Sequence, residues 1–259
     1  MARPKCNEYM QLCSIIRTRR CIGDQLMLRA LAHHLLPAHC VVCQIGLGRP
    51  AAAVCAPCEA DFFPVLSRCP RCAISLSGAA QSAVGLCGRC LAQLPHFDAT
   101  STLADYVSPV DGMVIAMKFT ARLDLAHFFG RLLAERAGPE IKVPNQIIAV
   151  PLAFERVRER GFNQSHHIAK ALAAASGGHL ANDRLLRVRN TPPQQSLSIN
   201  ERRRNVRGAF AVQGTLEHQS VFVVDDVMTT GSTLNEIARV LKQAGAARVH
   251  NLIVARTPE

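Results

Sequence analysis

The sequence predicts an α/β domain, a mainly parallel sheet flanked by helices, preceded by a small cysteine-rich segment organised by metal. Three observations carry this. From Ile147 onward, short β-branched runs alternate with helical stretches, the ordering that produces parallel strands. One such run, Val221 to Val224, leads into two adjacent carboxylates and a small polar loop. Upstream, four CxxC pairs lie between Cys40 and Cys90.

The 259 residues are 49% hydrophobic, ample for a buried core and unlike a disordered chain. A net charge of +11 favours an anionic partner such as a nucleotide, a nucleic acid or a membrane surface. With no Trp and only two Tyr, a base-stacking platform is poorly supplied unless Phe or Arg serves instead. No run of about 18 apolar residues predicts a membrane span. The first twenty residues are basic without an apolar core, unlike a signal peptide. A cytoplasmic location is expected, with the eleven cysteines as thiols or metal ligands rather than disulfides.

Residues 1–30 read as an N-terminal extension, with a short helix expected over Gln25–Leu36 after Asp24. Residues 31–95 hold the CxxC pairs Cys40/Cys43, Cys55/Cys58, Cys69/Cys72 and Cys87/Cys90. Each pair makes a tight knuckle that offers two thiolates to one metal, and two knuckles complete a tetrahedral shell. The spacing predicts two structural zinc ions. Sequential pairing needs only local hairpins; an interleaved cross-brace is the alternative. About fifty residues build little core alone, so metal would stabilise the segment.

Residues 96–259 form the second expected domain. Residues 95–109 read as a linker. Val110, Met113, Val114 and Met117 have helical spacing, and a second helix is expected over Leu123–Ala137, stopped by Gly138-Pro139. Lys118 and Arg122, four apart, are candidates for ligand contact. Ile147–Val150 is a buried strand, followed by a turn through Pro151, Leu152, Ala153 and Phe154 and by Arg156, Arg158 and Arg160. A helix over Ser165–Ala175 ends at Gly177-Gly178, and a strand surrounds Leu180–Leu186. Residues 187–208, with six arginines and two prolines, read as a basic binding loop with a short helix near Ser198–Asn205. Arg187, Arg189, Arg202 and Arg203 are its candidate ligand contacts. A short strand at Ala209–Val212, the run at Val221, a helix to about Ala244 and a strand at Val249–Val254 complete the chain.

The loop Thr229-Thr230-Gly231-Ser232-Thr233 precedes a helix, where free N–H groups and the macrodipole favour an anion. Asp225 and Asp226 stand one turn away and repel each other unless a ligand, metal or partner uses them. A sugar phosphate satisfies both features: phosphate in the loop, vicinal hydroxyls on the acids.

These residues resemble the phosphoribosyl-pyrophosphate (PRPP) motif of type I phosphoribosyltransferases. The match narrows when four motifs are taken in order: Lys118-Phe119, VPL…R.R.RGFNQ from Val150, R.R.T..Q..L....R..N....F from Arg187, and DDVMTTGSTL from Asp225. With the Cys-rich ribbon, they resemble the ComF family of competence and DNA-utilisation proteins, from about Leu31 to Pro258. The resemblance implies a type I phosphoribosyltransferase core behind a double zinc ribbon. It implies ribose hydroxyls on Asp225 and Asp226, the 5′-phosphate in Thr229–Thr233, and Mg²⁺ bound with PRPP. Pyrophosphate would meet Leu152, Ala153 and Arg156, and the basic loop would close over it. It further implies work on single-stranded DNA beside uptake machinery, or transfer of phosphoribosyl to a base or amine. The oligomeric state stays open, homodimer included.

Overall fold

The computed structural model describes residues 39–47, 53–76, 85–138, 145–189 and 204–258. The helix expected over 25–36 and residues Arg202 and Arg203 lie outside them. So does the helix expected near 198–205, save that residues 204–206 are helical. The chain divides into two compact units, residues 1–55 and 56–259.

The second unit opens with two short helices of the Cys-rich segment, α1 (Ala56–Phe62) and α2 (Gly88–Ala92). It continues through β1 (Ala99–Asp105), α3 (Val110–Phe119), α4 (Leu123–Ala137), β2 (Gln146–Ala149), α5 (Phe154–Arg160) and α6 (Gln164–Ser176). Then come β3 (His179–Leu180), β4 (Leu185–Arg187), β5 (Phe210–Val212), β6 (Ser220–Met228), α7 (Ser232–Gln243) and β7 (Arg248–Arg256). Five strands form one sheet in the order β1-β7-β6-β2-β3, every neighbouring pair parallel. β4 and β5 make a separate antiparallel pair. The α/β class and the mainly parallel sheet are as the sequence predicts.

Both faces of the sheet are covered, which is why its central strands read as unbroken apolar runs. On one face Val221, Val223, Ile148, Val249 and Ile253 pack with Ile237 and Leu241 of α7, with Phe210, and with the sulfurs of Cys69, Cys72 and Cys90. The other face is closed by α6 against β2 and β6, and by α4 against β1 and β7. Phe129 of α4 and Ile168 and Leu172 of α6 are fully buried there, each stabilising the fold by about 1.5–3 kcal/mol.

Three local expectations change. The linker at 95–109 contains β1, an edge strand of small and hydroxyl residues. Its buried Thr100 and Thr102 are satisfied across β7, by Asn251 Nδ2–H donating to Thr100 Oγ1 (3.1 Å) and by Thr102 donating to the Val254 carbonyl (3.3 Å). The strand expected around 180–186 is two strands, because a turn at 182–183 carries the chain from β3 in the main sheet to β4 in the small one. The arginine-rich stretch after Ala153 is the helix α5. It has no buried residue, so it carries no apolar period to read.

Helices α4 and α6 come into close contact at Gly130 of α4. A β-carbon there would lie 2.5 Å from Ala171 Cβ and 2.7 Å from the Ile168 carbonyl of α6, too close for backbone to yield. Gly130→Ala is expected to destabilise the fold by about 1–3 kcal/mol through overpacking. Thermal unfolding should show a melting temperature lower by about 2–4 °C per kcal/mol; an unchanged value would refute the close contact.

Candidate functional site

β2 stops at Ala149, paired with Val224, whereas β6 runs on beside β7 to Met228. The chain beyond β2 turns away through Val150, whose N–H still donates to the Val224 carbonyl (2.9 Å). Asp225 and Asp226 therefore lie within β6, on the stretch that β2 leaves unpaired, at the C-terminal edge where open α/β sheets bind ligands.

The two acids have different surroundings. Asp226 is buried; its Oδ1 pairs with Lys118 Nζ at 3.1 Å and its Oδ2 accepts from Gln164 Nε2 at 2.6 Å. Asp225 is half-buried and accepts from Ser165 Oγ (2.9 Å) and from the N–H of Asp226 (3.0 Å). Burial, and then the neighbouring Asp226 charge, push the Asp225 carboxyl up to about 7. One acid is paired with an ammonium; the other, with its raised proton affinity, sits ready to exchange its proton for a ligand contact.

A single short segment supplies most of these contacts. Gly161 ends α5 in the left-handed conformation, and Asn163 caps α6 by accepting from the N–H groups of Ser165 and His166. The Asn163 amide also donates to the Val150 carbonyl (3.0 Å), fixing the helix start beside the end of β2. Gln164 and Ser165, the first residues of α6, thereby meet the two acids. In the sequence this segment carries no assigned role. The signal was there: polar side chains at the buried start of an otherwise Ala-rich helix.

The loop after β6 is built for close approach. Gly231 is the N-cap of α7 with φ +76°, a conformation that costs any residue with a β-carbon. Thr230 and Ser232 hydroxyls meet at 2.8 Å. Asp225 and residues Thr229 to Thr233 line one small concavity, so the structure brings together the acid and the loop that the sequence singled out.

The remaining candidates divide. Lys118 reaches the site but is spent on Asp226. Arg122 pairs with Asp124 at 2.7 Å at the start of α4. Leu152 and Ala153 follow the end of β2, Ala153 as N-cap of α5, and Arg156 pairs with Glu159 (2.9 Å). Arg187 ends β4 with its guanidinium 5.4 Å from the Phe210 ring centroid; burial lowers its pKa, and the Asp225 charge partly offsets that. Arg189 donates to the carbonyls of Asn205 (2.8 Å) and Arg207 (2.7 Å), tying together the two ends of the basic loop.

The cysteine sulfurs gather in two sets of four, Cys40/Cys43/Cys55/Cys58 and Cys69/Cys72/Cys87/Cys90, all within 4.8 Å in each set. This is the sequential pairing. Cys43 and Cys55 sulfurs lie 3.6 Å apart, and Cys72 and Cys87 sulfurs 3.5 Å apart. That is far beyond a disulfide and close to the roughly 3.8 Å edge of a zinc–thiolate tetrahedron with bonds of about 2.3 Å. The first knuckle of each set repeats one design. Gln44 and Ala73, each following a CxxC, have positive φ and donate back to the Cys40 and Cys69 carbonyls; the N–H groups of Cys55 and Cys87 donate to the sulfurs of Cys40 and Cys69 at 3.4 Å. Burial opposes ionisation of Cys40 and Cys69, but N–H donors outweigh it and bring them to about 6 and about 7. Burial and neighbouring thiolates push Cys72 and Cys90 up. Four such thiols ionise together only around a cation, so the donor set fits zinc.

Two expectations follow. Metal analysis of protein purified under reducing conditions should give two zinc ions per chain, and less than one would refute the ribbon. For the acids, between pH about 4 and about 7 the folded chain holds a proton at Asp225 that the unfolded chain has released. Raising pH through that window thus lowers stability. Asp225→Asn removes this loss and should raise the melting temperature above wild type, increasingly from pH 4.5 to 7.5, by about 2–4 °C per kcal/mol relieved. Asp226→Asn leaves the Lys118 ammonium facing a neutral amide and should cost about 3 kcal/mol. Equal effects of the two substitutions would contradict the division of roles.

Residues 142–259 match the model of the phosphoribosyl transferase domain. The chain is 34% identical over 227 residues to the DNA utilization protein YhgH of Salmonella typhimurium, covering 86% of this chain and 98% of that protein. It is 31% identical over 228 residues to Competence protein F of Haemophilus influenzae, covering 84% and 96%. Among the described residues no helix is long and apolar enough to cross a membrane. With a type I phosphoribosyltransferase domain behind two Cys₄ clusters and close relatives along nearly the whole chain, the protein belongs to the ComF family.

Proposed function

We propose that this chain binds PRPP, or another ribose 5-phosphate, together with Mg²⁺, and acts in the cytoplasm on internalised single-stranded DNA beside uptake machinery. The observation that carries the reading is the concavity shared by Asp225 and the loop Thr229–Thr233. An anion fits the start of α7, and sugar hydroxyls fit the acids. Asp225 and Asp226 would share the Mg²⁺–ribose end, and the metal would neutralise pyrophosphate charge when bound. Leu152, Ala153 and Arg156 are the proposed pyrophosphate contacts, and Arg187, Arg189, Arg202 and Arg203 the basic loop that closes. The names of the relatives support the DNA role. So does the exposure of Phe119 (65%) and Phe154 (66%), which supplies stacking rings, Phe119 with Arg160 5.1 Å from its centroid.

A second reading is an active phosphoribosyltransferase that moves phosphoribosyl from PRPP to a base or amine. The retention of both acids favours it. Fixing both phosphate ends while shielding the anomeric carbon is how such a site accelerates departure of pyrophosphate.

Thermal unfolding with and without Mg²⁺–PRPP tests the ligand. At about 100 times Kd the stabilisation is about 2.7 kcal/mol, a rise of about 5–10 °C. Asp225→Asn should weaken binding about tenfold or more, because a charge-assisted hydrogen bond becomes neutral. Titration with single-stranded DNA, alone and against PRPP, tests the partner. Its affinity should fall steeply with salt, and Arg202→Ala with Arg203→Ala should flatten that slope. A wild-type protein that PRPP does not stabilise would sink the ligand assignment; salt-insensitive DNA binding would sink the electrostatic one.

A further inference from the structure

Arg256, the last residue of β7, is 1% exposed and the largest fully buried side chain among the described residues. Its Nε donates to the Cys72 carbonyl at 3.0 Å. Its Nη1 donates to the carbonyls of Met228 (3.3 Å), Thr229 (2.6 Å) and Thr257 (2.6 Å). One guanidinium thus joins Cys72, a candidate ligand of the second Cys₄ cluster, to the start of the loop proposed to hold phosphate. Elsewhere a cavity of about 220 Å³ has both on its walls, Cys72 and Cys90 with Met228, Thr230 and Gly231.

The consequence follows from peptide geometry. In a planar trans peptide the N–H points opposite to the C=O. Drawing the Met228 and Thr229 carbonyls onto Arg256 turns the N–H groups of Thr229 and Thr230 the other way, out of the core. Those two residues line the concavity beside Asp225. A guanidinium can hold this arrangement because its donors form a rigid planar fork; a lysine ammonium is a point donor on a flexible stem.

We propose that Arg256 is a positioning residue through which the metal state of the second Cys₄ cluster sets the shape of the phosphate loop. The ribbon is then part of the ligand site's construction without touching the ligand. This rests on the PRPP reading only for the identity of the ligand, not for the coupling itself.

The coupling is read without ligand, from backbone amide order parameters of Thr229–Thr233 by NMR. Wild-type values should be near the rigid limit of about 0.85, and Arg256→Lys should bring them below about 0.6, while amides of Phe222, Val224 and Leu252 stay rigid and zinc content stays at two per chain. Cys87→Ser, which removes a ligand of the second cluster, should loosen the same five residues. An unmoved loop in either variant overturns the proposal, and so does equal loosening of loop and strands, which would make Arg256 an ordinary core residue. If one variant fails to fold, the other decides; collapse of both would likewise show only a core role. Where wild type binds Mg²⁺–PRPP, Arg256→Lys should weaken it at least tenfold. A wild type that ignores PRPP would count against the ligand assignment alone, since the order parameters judge the coupling separately.

Discussion

The ligand end of this protein depends on β6 outrunning β2. Two carboxylates at adjacent positions of one strand face different surroundings, because side chains alternate along a strand. With β2 ended at Ala149, the space beside them is filled from α3 and α6 instead of by another strand. Lys118 reaches Asp226 from the last turn of α3, and Gln164 and Ser165 reach both acids from the first turn of α6. Their repulsion is thus resolved unequally. One acid is permanently paired, and the other keeps a raised proton affinity that binding of a hydroxyl or cation can exploit.

The Cys-rich segment solves a second problem of the same sheet. β1 is an edge strand, and its outer N–H and C=O groups would invite pairing with another chain. The knuckle of Cys69 and Cys72 covers that edge. The Pro70 carbonyl accepts from the Thr100 N–H (3.0 Å), Arg71 donates to the Phe97 carbonyl (3.0 Å), and Arg68 reaches Asp105 at 2.6 Å. The cysteines Cys69, Cys72 and Cys90 are packed among core residues of the sheet. Metal at this cluster would therefore hold a wall of the main core, not an appended module.

The central parallel strands and the loop were legible because strands buried on both faces give unbroken apolar runs. The four CxxC pairs were legible because metal geometry constrains spacing more tightly than packing does. What stayed hidden was polar and partnered in space. β1, ATSTLAD, reads as a linker because its core-facing positions include Thr100 and Thr102, whose hydroxyls are satisfied by β7. α5 has no buried face to give a period. Gln164, Ser165 and Arg256 look like ordinary surface residues in a sequence; only the fold turns them inward onto partners from distant segments. The mutual repulsion of the two acids was foreseen, yet the ammonium that relieves one of them comes from a helix more than a hundred residues earlier.

The paired acids also bear on how one domain would serve the two ligands of the proposed function, a sugar phosphate and a DNA strand. A ribose 5-phosphate offers two vicinal hydroxyls, each able to donate to a carboxylate. Deoxyribose inside a strand offers neither a 2′-hydroxyl nor a free 3′-hydroxyl, and the next phosphate would bring negative charge against Asp225 and Asp226. A site that selected a ribose phosphate in this way would therefore be hostile to the interior of a DNA chain. Under that proposal a strand would lie away from the acids, along α5, with Arg156 and Arg158 and the exposed ring of Phe154, and on Phe119 beneath Arg160. Both surfaces meet at Arg160, whose Nη1 donates to Gln164 Oε1 (3.2 Å), the same side chain that holds Asp226. A strand lying on the rings and a ribose phosphate in the loop would thus sit one side chain apart, close enough for each to influence the other without sharing a single contact.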